Sequence, residues 1–476
     1  MIDIQSLTIE KAHAALKEGE FTCRELAEAY RKVIAEKNKE LNAYLEVFDD
    51  ALVQADIAQK MFKEGKATML TGIPFAIKDN ILIEGKIASA SSKILGNYKA
   101  SYDSTVIKDL KKAGAVFLGR TNMDEFAMGS STQTSAYGVT RNPIDPTRVP
   151  GGSSGGSAAA LGGNLALASL GTETCGSVRE PAAFCGLVGL KPTYGAVSRQ
   201  GIIAMGNSLD QVSPFGKCVR DTEIIFNLLS RYDKEDSTSV SDDLRKPKKT
   251  GTSKKIGVPW HLFKEGVDPQ IEGNFKQSLE KLTKVGYEIV DIELPFSKYS
   301  LAAYYIIMPA EVSTNLSRFD GVRFGLHKDG DTLLEDYKLS RGEGFGKEVR
   351  RRILLGTYVL SAGYYDAYYR RATAVRELIR KDFNKVFESG VDAILTPTTP
   401  SPAFKIGEKV NDPIQMYLSD IYTITGSLAG IPCMSVPCGA TTQGLPVGMQ
   451  ILTKHFAEDT MFRLAHQYEV AGGFTA

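Results

Sequence analysis

Cysteine, histidine, surplus charge and long apolar runs are all scarce in this sequence, and each scarcity closes off a class of function. The 476 residues hold six cysteines, Cys23, Cys175, Cys185, Cys218, Cys433 and Cys438, with no C-x-x-C pair. Zinc-ribbon and thioredoxin readings therefore fail. So few thiols in so long a chain do not resemble a disulfide framework, and they fit reduced thiols in a cytoplasm. The five histidines, His13, His261, His327, His455 and His466, all lie outside Gly- or Ser-rich turns. A Ser-His-Asp triad needs a histidine beside its nucleophile, and Cys-His chemistry meets the same objection. Lys and Arg number 57 against 56 Asp and Glu, a net charge of +1. That balance creates no field to gather nucleic acid or a membrane surface, so neither DNA nor a membrane is an expected partner. A nucleic acid held by another protein of an assembly stays compatible. The nearest approach to a membrane span, "VPGGSSGGSAAALGGNLALASLG", is broken by glycines and serines. The N-terminus has early acids and no basic flank, so it does not read as a secretion signal.

What is present is an ordinary globular composition, 43% apolar and 24% charged. At this length two domains or one large α/β domain are the choices. Helical and strand-like stretches alternate to the end without a repeat, which favours one mixed α/β architecture. The first 60 residues read as helices, with a capping box at Thr22 and Glu25. "GIPFAIKDN" predicts a strand over 72–77, and "STVIKDLKKAGAVFLGR" predicts helix, Gly stop and strand. Together they suggest half of a βαβ unit and a parallel sheet. "GSAAALGGN" and "SVREPAAFCG" read as short helices on either side of the strand "LALASLGT". Residues 234–255 are polar and basic in part, and they read as a solvated surface loop. A Tyr-rich helical stretch follows around 340–387, then strands in "VDAILTPTTP" and "GLPVGMQIL".

The segment "GGSSGGSAAA", Gly151 to Ala160, poses the functional question. It lacks the lysine of a phosphate-binding P-loop and the G-x-G-x-x-G of a dinucleotide fold. Around Ser177 the nucleophile elbow G-x-S-x-G is also absent, since "ETCGSVREP" lacks the second Gly. Serine can instead be activated by a neutral lysine, since desolvation penalises the ammonium. Lys78 closes an apolar strand and is the candidate.

Taken together, "GIPFAIKDN" and "GGSSGGSAAALGGNLALASLGTETCGSVREPAAFCGLVGLKPTYG" resemble the amidase signature family. The resemblance implies an α/β fold, a single large amidase-signature domain with a mixed β-sheet core covered by helices on both faces. It would span 1–476, with a helical N-terminal segment at about 1–65 and a signature core at about 66–225. The polar loop at about 234–255 and a C-terminal part at about 256–476 complete it. It also implies a Ser–cis-Ser–Lys triad, with Lys78 as base, Ser153 as relay and Ser177, 24 residues on, as nucleophile. Backbone N–H groups of Thr174, Cys175, Gly176 and Ser177 would form the oxyanion hole. Glycines around Ser153 would let two backbones approach, and Ser154 and Ser157 would satisfy loop amides. Two positions depart from the family pattern. Glu173 stands for Asp, still able to pair with Arg179, and Cys175 stands for Gly, at a cost if that position needs φ > 0.

Within the family the resemblance is closest to the A-subunit branch of tRNA-dependent amidotransferases. "NMDEFAMGSSTQTSAYGVTRNP", "EVRRRILLGTYVLSAGYYDAYY" and "YLSDIYTITGSLAGIPCMSVPCG" carry it. That branch takes ammonia from glutamine. Asp420 would hold the substrate ammonium and Arg352 its carboxylate. Arg350 and Arg351 stay open as alternatives, as does which of Tyr304 and Tyr305 lines the pocket. Gly426 and Ser427 replace the usual Ala and Asn of the pocket wall. The branch implies a heterotrimer completed by the B and C subunits of the amidotransferase. Misacylated tRNA would be bound mainly by the B component, with ATP and Mg²⁺ there and no metal or cofactor in this chain. A cytoplasmic setting follows. The alternative is a stand-alone amidase acting on another small amide with the same triad.

Overall fold

Short apolar runs separated by amphipathic helices collect into eleven strands of one mixed sheet. The computed structural model describes residues 2–245, 253–263 and 266–474. The strands are β1 (Tyr44–Val47), β2 (Pro74–Lys78), β3 (Val116–Thr121), β4 (Ala168–Glu173), β5 (Val188–Lys191) and β6 (Gln211–Gly216). β7 (Lys255–Val258), β8 (Glu288–Asp291), β9 (Ala393–Pro397), β10 (Cys433–Ala440) and β11 (Pro446–Thr453) follow. Their order is β1-β3-β2-β4-β6-β5-β10-β11-β9-β7-β8.

Crossover connections set the strand directions. β2 reaches β3 through α4 (Thr105–Lys112), and the pair is parallel, as is β2 with β4. β7 reaches β8 through α8 (Pro269–Lys284), again in parallel. The centre, β4-β6-β5-β10-β11-β9, is antiparallel throughout. Every residue of β2, β3, β4, β5 and β6 is buried, so these strands show no alternation of buried and exposed positions.

The N-terminal helices are α1 (Ile9–Glu18), α2 (Cys23–Leu41) and α3 (Ala51–Lys63). The capping box at Thr22 and Glu25 forms as the sequence predicts. The all-helical reading of the first 60 residues is corrected by β1. Asn42 takes a left-handed conformation (φ 49°) that stops α2 and turns the chain into an edge strand antiparallel to β3. Next come α5 (Gly155–Gly162), α6 (Arg179–Cys185) and α7 (Val219–Leu229).

The Tyr-rich stretch is broken where the sequence reads as continuous. After α9 (Ser300–Asn315), it forms α10 (Leu333–Gly344), α11 (Lys347–Leu360), a π-turn at Tyr365–Arg370 and α12 (Arg371–Glu388). Gly346 marks the first break, in extended conformation, with its N–H on the Glu125 carboxylate at 2.9 Å. α13 (Pro413–Leu418), α14 (Ile424–Ala429) and α15 (Glu458–Val470) complete the helices named here.

Over 234–245 the polar segment is irregular, exposed or half-buried at all but Asp236, and it is anchored at two points. Asp236 is buried and accepts the N–H of Arg199, and Arg245 donates to the carbonyls of Val240 and Ala196. This segment is pinned to the body, and Lys255 already belongs to β7. Residues 246–252, with most of the basic cluster, lie outside the described residues.

Candidate active site

Lys78 is the last residue of β2 and Glu173 the last of β4, two parallel neighbours. The carboxyl ends of such strands are where α/β sheets open a crevice for ligands. Lys78 is fully buried, and burial lowers its pKa from 10.5 to about 7. Asp124, Asp210 and Glu173 pull the other way without restoring the ordinary value. Its Nζ lies 2.8 Å from Ser153 Oγ, 2.7 Å from Ser154 Oγ and 3.1 Å from the Thr172 carbonyl. A neutral amine has two N–H donors and one lone pair. Thr172 O accepts one hydrogen. Ser154 Oγ, whose own proton goes to Thr172 O at 3.1 Å, accepts the other. The lone pair is left for the Ser153 hydroxyl.

Ser153 and Ser177 come from two segments held face to face. The peptide between Gly152 and Ser153 is cis. Ser154 donates its N–H to the Ser177 carbonyl at 3.1 Å. Gly151, at φ 82°, sits where a Cβ would come within 2.8 Å of Pro181 Cα on α6, so glycine there permits the close approach that the sequence suggests. Ser177 is 6% exposed, and its hydroxyl has no hydrogen-bond partner among the described residues. No hydrogen bond joins Ser153 Oγ to Ser177 Oγ. In unliganded sites such contacts are commonly long and tighten on binding.

The turn Thr174–Ser177 precedes α6. Its four backbone N–H groups donate to no acceptor among the described residues, leaving them free to meet a developing oxyanion. Glu173 shapes this turn. Its carboxylate accepts the N–H groups of Val178 and Arg179 at 3.0 Å each and pairs with the buried Arg179 guanidinium. The extra methylene relative to Asp is thus accommodated. Arg179 also donates to the Thr423 carbonyl and Ser427 Oγ, and Ser427 Oγ in turn donates to the Cys175 carbonyl at 2.7 Å. Two of the departures, at 175 and 427, therefore meet in one buried network.

Cys175 lies outside the positive-φ region, so its Cβ brings no backbone strain there. Its side chain packs in an apolar cluster with Tyr304, Met205 and Met308. Burial pushes the thiol well above the usual range, which keeps it protonated and removes it as a rival nucleophile.

Asp420 approaches from the segment before α14. A Cβ on Gly176 would stand 2.9 Å from Asp420 Oδ1, so this carboxyl touches the Thr174–Ser177 turn. Burial raises it from 3.8 to about 7, against a 2.6 Å hydrogen bond from Ser130 Oγ. Arg352 is buried, whereas Arg350 and Arg351 are exposed. Its Nε donates to Glu348 at 2.8 Å, and its guanidinium carbon lies 5.5 Å from the ring centres of Tyr305 and Tyr417. Tyr305 stacks on Tyr417 at 3.9 Å, while Tyr304 belongs to the cluster around Cys175. A cavity of about 320 Å³ opens beside Arg352, Glu348, Tyr417, Ser131 and Lys409. Lys78, Ser153 and Ser177 do not line it. Asp420 does not line it either, but its partner Ser130 sits in the chain between the lining residues Gly129 and Ser131.

Two participants, Asp124 and Asp210, escaped the sequence reading, and Ser154 and Ser157 do more than satisfy loop amides. Ser154 Oγ accepts the Thr172 N–H at 3.3 Å and also touches Lys78. Ser157 hydrogen-bonds Leu170 O and Thr121 Oγ1, tying α5 to β4 and β3. Asp124 organises the 130–134 loop by accepting N–H groups of Ser131, Thr132 and Thr134. Asp210 holds Thr174 Oγ1 at 2.6 Å. The hydroxyl-rich run "SSTQTS" just after Asp124 was the only available signal, and it is shared by many surface loops. Among the described residues no group of His, Cys, Asp and Glu is arranged to hold a metal ion, and no helix is long and apolar enough to cross a membrane.

Known proteins are similar to this chain along its length. The Amidase family model matches residues 25–462. A Koribacter versatilis protein, named as the A subunit of glutamyl-tRNA(Gln) amidotransferase, is 50% identical, over 99% of each chain. One of the same name from Thermoanaerobacter pseudethanolicus is 48% identical, over 100% of this chain and 98% of its own. The crystal structure of the glutamyl-tRNA(Gln) amidotransferase A subunit from Thermotoga maritima is similar at a TM-score of 0.81. Its identity is 40%, covering 98% of this chain and 95% of that one. A model match that takes in β2, the serine loop, the turn before α6 and α14 alike, with relatives alike end to end, places this chain in the amidase family.

Proposed function

We propose that this chain is the glutaminase subunit of a tRNA-dependent amidotransferase. The observation that carries the chemistry is the buried Lys78 amine, 2.8 Å from Ser153 Oγ with its other two contacts used by Ser154 and Thr172. The names of the full-length relatives support the choice of amide.

On this reading Ser177 Oγ attacks the side-chain carbonyl of glutamine. Its proton moves to Ser153 as the Ser153 proton moves to Lys78, so the relay leaves Ser153 neutral. The N–H groups of Thr174 to Ser177 hold the oxyanion. The lysine proton returns through Ser153 to the leaving nitrogen, and ammonia departs from a glutamyl ester on Ser177. Water, deprotonated by the same relay, then releases glutamate. Asp420 takes the substrate ammonium and Arg352 its carboxylate, which fixes glutamine with its amide over the turn. Ammonia passes to the companion B subunit. With ATP and Mg²⁺, that companion amidates Glu-tRNA(Gln), and Asp-tRNA(Asn) where it accepts that substrate, while the C component completes the heterotrimer. The near-zero net charge agrees with tRNA contacts lying mainly on the partner, and a cytoplasmic setting agrees with the task.

The purified chain, alone and with its B and C companions, is to be assayed on glutamine and on a panel of aliphatic and aryl amides. Glutamine should be the best substrate, with hydrolysis enhanced in the assembly. Vigorous turnover of another amide by the lone chain, unaffected by the companions, would establish the stand-alone amidase instead.

A further inference from the structure

Glu180 has no task in the mechanism above, yet it is fully buried in the first turn of α6. One carboxyl oxygen accepts the Gly152 N–H at 3.3 Å. The other, Oε1, is buried with no hydrogen-bond partner among the described residues. An unsatisfied buried oxygen is costly, so the residue calls for a reason. Gly152 immediately precedes Ser153, and Ser154 immediately follows it. Gly152 is tied to α6 by Glu180, and Ser154 is tied to the nucleophile by the bond from its N–H to the Ser177 carbonyl. On the third side, Asp124 donates its N–H to the Ser153 carbonyl at 3.1 Å. Glu180 is the only side chain among these ties, and it reaches from the helix that begins behind the nucleophile.

We infer that Glu180 is a positioning residue, holding the Gly152 amide against α6 and thereby setting Ser153 between Lys78 and Ser177. The inference rests on the reading of Ser153 as the relay.

The surroundings favour an uncharged acceptor at this point. Burial, and then the nearby Asp420, raise Glu180 well above the usual carboxyl range; Asp124 adds to this and Lys409 opposes it. On its own helix Arg179 is engaged by Glu173. Of the elements packed against α6, α5 and β11 carry no charged side chain. β10 brings only the thiols Cys433 and Cys438, both raised by burial, and β5 brings Lys191, which donates to the Pro192 carbonyl. A neutral acid and a neutral amide have the same reach and both accept an N–H through the carbonyl oxygen. Glutamine should therefore replace Glu180. Aspartate, one methylene shorter, should not.

The test is steady-state glutamine hydrolysis by the assembled amidotransferase carrying Glu180→Gln or Glu180→Asp, with ammonia-dependent tRNA amidation as the measure of intact assembly. Glu180→Gln should keep kcat and KM within about twofold. Glu180→Asp should lower kcat about tenfold or more with KM within about twofold, since the ends of glutamine are held at Asp420 and Arg352. Ammonia-dependent amidation should be unchanged in both. A wild-type kcat for Glu180→Asp would overturn the inference. So would an equal loss of kcat in Glu180→Gln, or a parallel loss of ammonia-dependent amidation. Ser153→Ala separates the two levels. If it hydrolyses glutamine normally, the relay reading fails. If it is inactive while Glu180→Asp is silent, only the role of Glu180 falls.

Discussion

A lysine amine can take a proton only when it is neutral, and Lys78 becomes neutral as the pH rises through about 7. Its pKa of about 7 lies far below 10.5 because burial penalises the ammonium. Asp420 works in the same direction. Raised to about 7, it is charged only above that pH, the state in which the proposed mechanism has it hold the substrate ammonium. Protonation of either group on the acid side is harmful, so kcat/KM for glutamine should climb between about pH 6 and about pH 8 and then level off. A profile flat through that range would contradict the assigned states. The two residues separate by substitution. Lys78→Ala should lower kcat by about 10³-fold or more, because the relay acts as a unit. Asp420→Asn should mainly raise KM, by about 10- to 100-fold, the worth of one charge-assisted hydrogen bond. Steady-state kinetics with the glutamine concentration varied would distinguish these effects. At this scale the sequence was legible where chemistry demanded a rare combination: Lys78 on an apolar strand, with serines at the family's interval. Ser154, Asp124 and Asp210 were not legible. Their roles depend on which hydroxyl or carboxyl the fold turns inward, and Ser and Asp are common in any loop.

The element that decides the site is the turn from β4 into α6. Glu173 ends the strand, caps the first N–H groups of the helix and neutralises Arg179, and both side chains are fully buried. Removing one partner of such a pair leaves a buried charge without compensation. Glu173→Ala should thus destabilise the protein by about 3–5 kcal/mol, visible as a lowered midpoint in denaturant. A loss below about 1 kcal/mol would mean that Arg179 is satisfied by Gln450, Cys175, Thr423 and Ser427 without Glu173. Helices and strands with strong local signals were predicted from sequence close to their observed bounds: the capping box of α2, the strand ending at Lys78, α4 with β3, and the short α5. The edge strand β1 was not, because four residues after a long helix give no periodicity to read. The break at Gly346 was also hidden, since it is set by the distant Glu125 carboxylate.

Across the whole molecule, one mixed sheet of eleven strands brings together residues from 78 to 420. The parallel pairing of β2 with β3 and the alternation of elements were foreseeable from the pattern of helices and strands. The antiparallel centre and the strand order were not, because pairing between β5 and β10 joins segments more than 200 residues apart and leaves no local trace in either. The cavity next to Arg352 is likewise a product of assembly, made where α11, α13 and the 130–134 loop meet. If ammonia is drawn from glutamine through Ser177, as proposed, tRNA amidation by the complete assembly bearing Ser177→Ala, with either glutamine or ammonium as nitrogen source, is the most direct measurement. Glutamine should no longer support amidation while ammonium still does. Survival of glutamine-dependent amidation in that variant would contradict the proposal.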